Sequence, residues 1–157
     1  SCMKRVLFVC LGNICRSPTA EGVFQQAVVR AGLDGRVTID SCGVGDWHVG
    51  KAPDPRSQAA ARQRGIEIGH LRARQLKVSD FHEFDYVLGM DRENLAAMRA
   101  LQPANSQAQV GLLLDYAGLP QSDVPDPYYG GDEGFEQVLD LIERASQGLL
   151  DELQRER

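Results

Sequence analysis

Four apolar residues in unbroken succession, Val6-Leu7-Phe8-Val9, lead into Cys10, and seven residues later the chain reaches the helix-opening pair Ser17-Pro18. That join constrains the fold more than anything else in the sequence. A strand with one wet face alternates apolar and polar residues; a continuous apolar run needs both faces covered, as in a parallel sheet between helices. After Pro18 the apolar positions are Ala20, Val23, Phe24, Ala27, Val28 and Ala31, which is helical spacing, and Gly32 ends it. Ser17 is placed to cap this helix, and Pro18 falls in the first turn, where a missing N–H costs nothing. A strand feeding a short loop feeding a helix gathers backbone N–H groups at one point, and the helix start adds about half a positive charge. Such a loop receives anions, phosphate above all.

The rest of the chain repeats the alternation. Val37-Thr38-Ile39 reads as a second strand, and residues 41–55, rich in Gly, Pro and Asp, as a long surface loop. A helix is expected from Asp54-Pro55 through the alanines to Gly65, a third strand over residues 84–88, and a helix capped by Asp91 that carries Leu95, Met98 and Leu101. A fourth strand is expected over residues 110–114, and a last helix with Phe135, Val138, Leu139, Ile142, Ala145, Leu149, Leu150 and Leu153 on one stripe. The expectation is an α/β three-layer sandwich, a central four-stranded parallel sheet with helices on both faces and a phosphate-binding loop after the first strand. Ligands of such sheets sit at the carboxyl ends of the strands, where residues 10–16 lie. One domain over residues 3–157 is expected at this length. Ser1-Cys2 ahead of Met3 reads as a cloning remnant.

A net charge of -5 argues against a general nucleic-acid binder. No apolar run approaches the ~18 residues of a membrane span, and no signal peptide is read ahead of the first strand, so no membrane insertion is expected. The four cysteines, Cys2, Cys10, Cys15 and Cys42, read neither as a disulfide framework nor, with His48, His70 and His82 scattered, as a metal site. A reducing cytoplasm is the expected setting, and no cofactor is expected.

Cys10 has one reading as a small buried residue ending a strand. Arg16 and the helix start favour the other, a nucleophile: a thiol facing converging N–H groups and a guanidinium ionises readily. The fork of Arg16 matches a pair of phosphate oxygens in a way Lys cannot copy. The loop residues Leu11, Gly12, Asn13, Ile14 and Cys15 supply the phosphate-binding backbone. Gly12 lets it approach closely, and Asn13 tolerates the left-handed conformation that a tight loop needs. No Gly-Lys-Ser/Thr follows, which excludes a nucleotide-binding P-loop. Attack on a phosphoester also needs an acid for the leaving group, and the best candidate is Asp126, in Asp126-Pro127-Tyr128-Tyr129-Gly130-Gly131. Its bland reading is an ordinary Asp-Pro turn, of which Asp54-Pro55 is another example.

The stretch Val9-Cys10-Leu11-Gly12-Asn13-Ile14-Cys15-Arg16-Ser17-Pro18 resembles the signature of the low-molecular-weight protein tyrosine phosphatases, and Asp126-Pro127-Tyr128-Tyr129-Gly130 resembles that family's acid loop. Asp46-Trp47-His48-Val49-Gly50, Pro53-Asp54-Pro55-Arg56, Ala73-Arg74-Gln75 and Phe84-Asp85-Tyr86-Val87-Leu88 look like family segments in family order. The resemblance implies Cys10 as nucleophile, Arg16 as phosphate binder, Asp126 as general acid and then base, and Ser17 as helper of the thiolate. It implies Asn13 and Ser41 as supports of the loop, and Trp47, Tyr128 and Tyr129 as walls for the substrate's ring. It also implies a reversible disulfide between Cys15 and Cys10 that guards the nucleophile.

The implied activity is hydrolysis of phosphotyrosine, and of small aryl phosphates, with a phosphotyrosine-containing protein as partner. Two alternatives use the same scaffold. A phosphoarginine phosphatase usually carries Thr where Ile14 stands, and a thiol-linked arsenate reductase needs a further mobile cysteine, which does not follow Cys42. A phosphate-reading module without turnover would be expected to have lost Cys10, Arg16 or Asp126. Three positions depart from the family pattern: Cys42 in place of Ala, Val44 in place of a small polar residue, and the histidine before Ala73-Arg74-Gln75 one residue early, as His70. No network role is assigned to His70.

Overall fold

The computed structural model describes residues 3–128 and 130–156. Its first strand, β1 (Lys4–Cys10), is flanked on both sides by parallel neighbours, β2 (Val37–Gly43) and β3 (Tyr86–Gly89), and β4 (Gln109–Leu112) adds beyond β3. The order is β2-β1-β3-β4, all parallel. The apolar run sits at its centre because both of its faces are covered. Val6, Phe8 and Cys10 turn to one layer, and Leu7 and Val9 to the other.

The larger layer holds α1 (Arg16–Arg30), α2 (Pro55–Gln63) and the long α5 (Asp132–Arg155). Phe8 meets Phe24 of α1 edge to face with ring centroids 5.8 Å apart, and the α5 stripe from Phe135 to Leu153 is buried there as its spacing requires. The thinner layer holds α4 (Arg92–Leu101) and a single helical turn, α3 (Asp80–Glu83), with Met98 and Phe81 packed on Leu7, Val9 and Val87. The expected three layers and four parallel strands are those of the structure.

Several local expectations change, and the third strand, expected over residues 84–88, is Tyr86–Gly89. The second strand runs on to Gly43, so the first three residues of the expected loop are sheet, paired to Phe8, Val9 and Cys10. The fourth strand stops at Leu112; Leu113 and Leu114 open a 3₁₀ turn (Leu113–Ala117), where they fill the core without ladder bonds. Helix α1 begins at Arg16 with Cys15 at its cap position, and no side chain caps it. Ser17 is buried inside the first turn, and its hydroxyl serves Cys10 instead. Asp54 and Asp91 do cap α2 and α4, through Arg56 N–H at 2.8 Å and Asn94 N–H at 2.7 Å. Among the described residues no helix is long and apolar enough to cross a membrane.

The topology fixes the site. Chain order reverses between β1 and β3, and the loop after β1 leaves the sheet at that point, at the carboxyl ends.

Candidate active site

Residues 10–16 form a ring of peptide units whose carbonyls are tied from behind. Val44 N–H donates to the Cys10 carbonyl at 2.9 Å, Gly45 N–H to that of Leu11 at 2.9 Å, and Asp54 N–H to that of Ile14 at 2.8 Å. The Cys15 carbonyl accepts from Thr19 Oγ1 at 2.6 Å. In a planar trans peptide the N–H points opposite to the C=O. Pulling these four carbonyls outward therefore turns the N–H groups of Leu11, Gly12, Cys15 and Arg16 inward. Asn13 sits at φ +57°, as its residue type allows, and its N–H donates to Cys10 Sγ at 3.2 Å. Glycine is needed behind the ring as well as in it: a Cβ on Gly43 would lie 3.0 Å from the Leu11 carbonyl oxygen, and one on Gly12 would lie 2.9 Å from the His48 ring.

The side chains at the floor are buried and mutually bonded. Cys10 Sγ is 3.0 Å from Ser17 Oγ. The single hydroxyl proton of Ser17 has two acceptors, Cys10 Sγ and the Cys42 carbonyl at 3.3 Å. With Cys10 as a thiol, the S–H donates to Ser17 and Ser17 donates to the carbonyl; with Cys10 as a thiolate, the hydroxyl turns to sulfur. Asn13 Nδ2 spans Ser17 Oγ at 2.8 Å and Ser41 Oγ at 3.0 Å, and its Oδ1 accepts from Arg74 N–H at 3.0 Å. Ser41 lies below the ring, one hydrogen bond from Asn13.

Arg16 is 3% exposed. Its Nη1 donates to Asp91 Oδ2 at 2.6 Å and to the Val124 carbonyl at 3.0 Å, while Nη2 lies 3.6 Å from Asp126 Oδ2. Burial opposes the guanidinium charge, and the Asp91 hydrogen bond, with Cys10 and Asp126, outweighs it, so the net shift of its pKa is upward. The anchoring of Arg16 by Asp91 is absent from the sequence reading, which saw Asp91 as a helix cap. It is both, one carboxylate oxygen for each task.

The rim comes from two distant segments. Asp126, with its side chain 37% exposed, accepts from Tyr128 N–H at 3.0 Å and faces Arg16. The segment that carries Asp126 is pinned at both ends: Val124 N–H donates to the Met90 carbonyl at 2.8 Å, and Arg56 Nη2 donates to the Tyr128 carbonyl at 3.0 Å. Arg56 lies over the rings of Phe135 and Tyr128, 4.9 and 5.5 Å from their centroids. Cys10, Leu11, Gly12, Ile14, Cys15, Arg16, Trp47, Asp126 and Tyr128 share one pocket of about 390 Å³, with His48 as a further wall that the sequence reading did not single out. Only the Gly12–His48 contact marks that histidine, and it is invisible in one dimension. The role expected of Tyr129 falls outside the described residues. Cys15 is free and buried, and burial pushes its pKa up to about 12. Among the described residues no three His, Cys, Asp or Glu side chains are grouped to hold a metal.

The profile of the family described as "Low molecular weight phosphotyrosine protein phosphatase" matches residues 5–157. The chain belongs to that family. It is 53% identical to the low molecular weight phosphotyrosine protein phosphatase of Schizosaccharomyces pombe over 133 residues, 83% of this chain and 85% of the relative. The crystal structure of a Bacillus subtilis family member superposes with a TM-score of 0.92 at 40% identity, covering 100% of this chain and 98% of that one. An arginine phosphatase of Drosophila superposes with a TM-score of 0.89 at 33% identity, covering 96% and 98%. The family's fold is therefore the fold of this chain, in which Cys10 ends the first strand.

Proposed function

We propose that this protein is a tyrosine phosphatase that hydrolyses phosphotyrosine in proteins, and small aryl phosphates, through a cysteinyl-phosphate intermediate. The observation that carries the reading is Cys10 Sγ on the floor of a ring of inward N–H groups, with the Arg16 guanidinium and the Asp126 carboxyl in the same pocket. In the first step the Cys10 thiolate forms an S–P bond as the P–O bond to the phenol breaks. Asp126 gives its proton to the departing oxygen. The Arg16 guanidinium and the inward amides of Leu11, Gly12, Cys15 and Arg16 hold the equatorial oxygens, while the Asn13 amide serves the Cys10 sulfur. Asp91 holds Nη1, so Nε and Nη2 are the pair offered to phosphate. Ser17 donates to the thiolate whenever sulfur is the leaving or resting anion.

In the second step Asp126 takes a proton from water, the water oxygen bonds to phosphorus, and the S–P bond breaks. Trp47 and Tyr128 wall the ring of the substrate. Cys15 is the partner for a protective disulfide with Cys10: a peroxide-class oxidant takes two electrons from the Cys10 thiolate to give a sulfenic acid, and the Cys15 sulfur then bonds to it as water leaves. Burial pushes the Cys15 thiol up to about 12, so this second step is slow unless the loop opens. Residues 3–157 act as one catalytic domain in a reducing cytoplasm. The pocket holds Ile14 where a polar side chain would favour a guanidino phosphate, and no cysteine after Cys42 is present for arsenate reduction.

The test is turnover of phosphotyrosine, phosphoarginine and arsenate by one preparation, with Cys10→Ser as control. Hydrolysis of phosphotyrosine preferred over phosphoarginine, and lost in Cys10→Ser, is expected. Preference for phosphoarginine overturns the substrate assignment.

A further inference from the structure

The hydrogen bonds beneath the ring do not end at Ser41. Ser41 Oγ donates to Glu21 Oε1 at 2.8 Å. An uninterrupted chain therefore runs from Cys10 Sγ through Ser17 (3.0 Å), Asn13 (2.8 Å) and Ser41 (3.0 Å) to a carboxyl on the second turn of α1. None of the catalytic steps above uses that carboxyl. It also lines a separate groove of about 520 Å³ on the outer side of α1, together with Gly22, Ile66, Leu71 and His70. Protons therefore reach Glu21 from solvent without passing through the active-site pocket.

The charged surroundings of Glu21 come from several elements. On β2, Asp40 repels its charge; from the segment after α2, Arg74 attracts it, but Arg74 is already engaged by Asp80 through both terminal nitrogens and by Asp40 through Nε. Across the groove stand Arg30 of its own helix, Glu67, which is paired to Arg62, and His70. No cation of the described residues forms an ion pair with Glu21. Burial, as the largest cause, pushes its carboxyl up to about 7, against the pull of Ser41.

Resting on the proposed phosphate chemistry, we propose that Glu21 is a proton-linked positioning residue: neutral, it leaves the ring's positive field intact, and ionised, it sets a negative charge against the Cys10 thiolate and bound phosphate through the Ser41–Asn13–Ser17 chain. The sign follows from like charges. As pH rises through neutrality, Glu21 ionises and the pocket holds its anion less tightly. Relative to Glu21→Gln, which keeps an acceptor for Ser41 but stays neutral, the wild type's inhibition constant for inorganic phosphate rises roughly three- to tenfold between about pH 5.5 and 8. The second ionisation of phosphate is common to both proteins and cancels in the ratio. In Ser41→Ala the carboxylate loses the hydrogen bond that lowers its pKa and the chain to Asn13 is broken, so the step moves to higher pH and shrinks. A merely structural role for Glu21 moves stability and leaves both features flat.

The closing experiment needs no variant that must fold: titrate the Glu21 side-chain carbonyl by NMR in the wild-type protein, free and saturated with inorganic phosphate. Coupling is reciprocal, so bound phosphate raises the Glu21 midpoint by the same factor by which ionised Glu21 weakens phosphate. An upward move on saturation is expected. A midpoint that does not move while phosphate is bound overturns the inference. No phosphate binding at all overturns the proposed function, and the inference falls with it.

Discussion

At the floor of the pocket Cys10, Asn13 and Arg16 are each 3% exposed, while at the rim Trp47 is 65% exposed and Tyr128 39%. The floor is one continuous stretch of chain, held by hydrogen bonds from β2, α2 and the Arg74 segment. The rim joins residues far apart in the chain and hangs on a few contacts, chiefly Arg56 to the Tyr128 carbonyl and Asp126 to Tyr128 N–H. In the proposed mechanism the floor serves the part every substrate shares, the phosphoryl group, and the rim meets the part that differs, the leaving group and what surrounds it. Changes at the floor should therefore strike every substrate alike, and changes at the rim should depend on which substrate is offered.

The largest expected effect is at the floor. Cys10→Ser is expected to abolish turnover of all aryl phosphates yet keep phosphate binding by calorimetry; residual turnover above background breaks the assignment. Next comes Asp126→Ala at the rim, with a loss of ~10²–10⁴-fold for poor leaving groups and a much smaller one for acidic phenols. Equal losses across a leaving-group series would move Asp126 out of its acid role.

Asp91→Asn keeps the helix cap but weakens the hold on Arg16. Its expected effect is a loss of kcat/KM on the order of tenfold, uniform across substrates. Trp47→Ala is expected to raise KM roughly threefold for phosphotyrosine peptides and less for small aryl phosphates, with kcat little changed. A change in kcat alone would place Trp47 in the chemistry rather than the wall.

The last effect is on stability rather than turnover and concerns the support of the floor. The Glu21 pKa is raised in the folded protein from 4.5 to about 7, so the folded state keeps this proton over an interval in which the unfolded chain releases it. The stability due to this group is full below about pH 4.5 and is lost as pH rises through about 7. Between pH 5 and 8 the wild type should lose on the order of 1 kcal/mol more than Glu21→Gln, measured by denaturant unfolding. Parallel curves would contradict a buried, titrating Glu21.

What was legible in the sequence follows the same division. The strand, ring and first helix are local, so Cys10, Gly12, Asn13 and Arg16 declare themselves by type and spacing. Asp91 was legible only as a cap, because its bond to Arg16 joins residues 75 apart. Ser17 carries two readings in the sequence, a helix cap by position and a helper of the thiolate by resemblance; no side chain caps the helix, and the hydroxyl lies 3.0 Å from the Cys10 sulfur. The end of β4 was misplaced because Leu113 and Leu114 are buried in either conformation, and apolar residues alone do not separate a strand from a 3₁₀ turn. Glu21 carries no sequence signal: an acidic residue among the polar positions of a helix is ordinary, and only its depth beside Ser41 sets it apart.

The most direct test of the central claim is to mix Asp126→Ala with an aryl phosphate whose phenol needs no acid, quench at short times, and map phosphate on the chain by mass spectrometry. Without Asp126 to activate water, the second step should be slowed more than the first, and one phosphoryl group should accumulate on Cys10. A phosphoryl group on another residue, or phenol release with no covalent phosphate at any time, would contradict it.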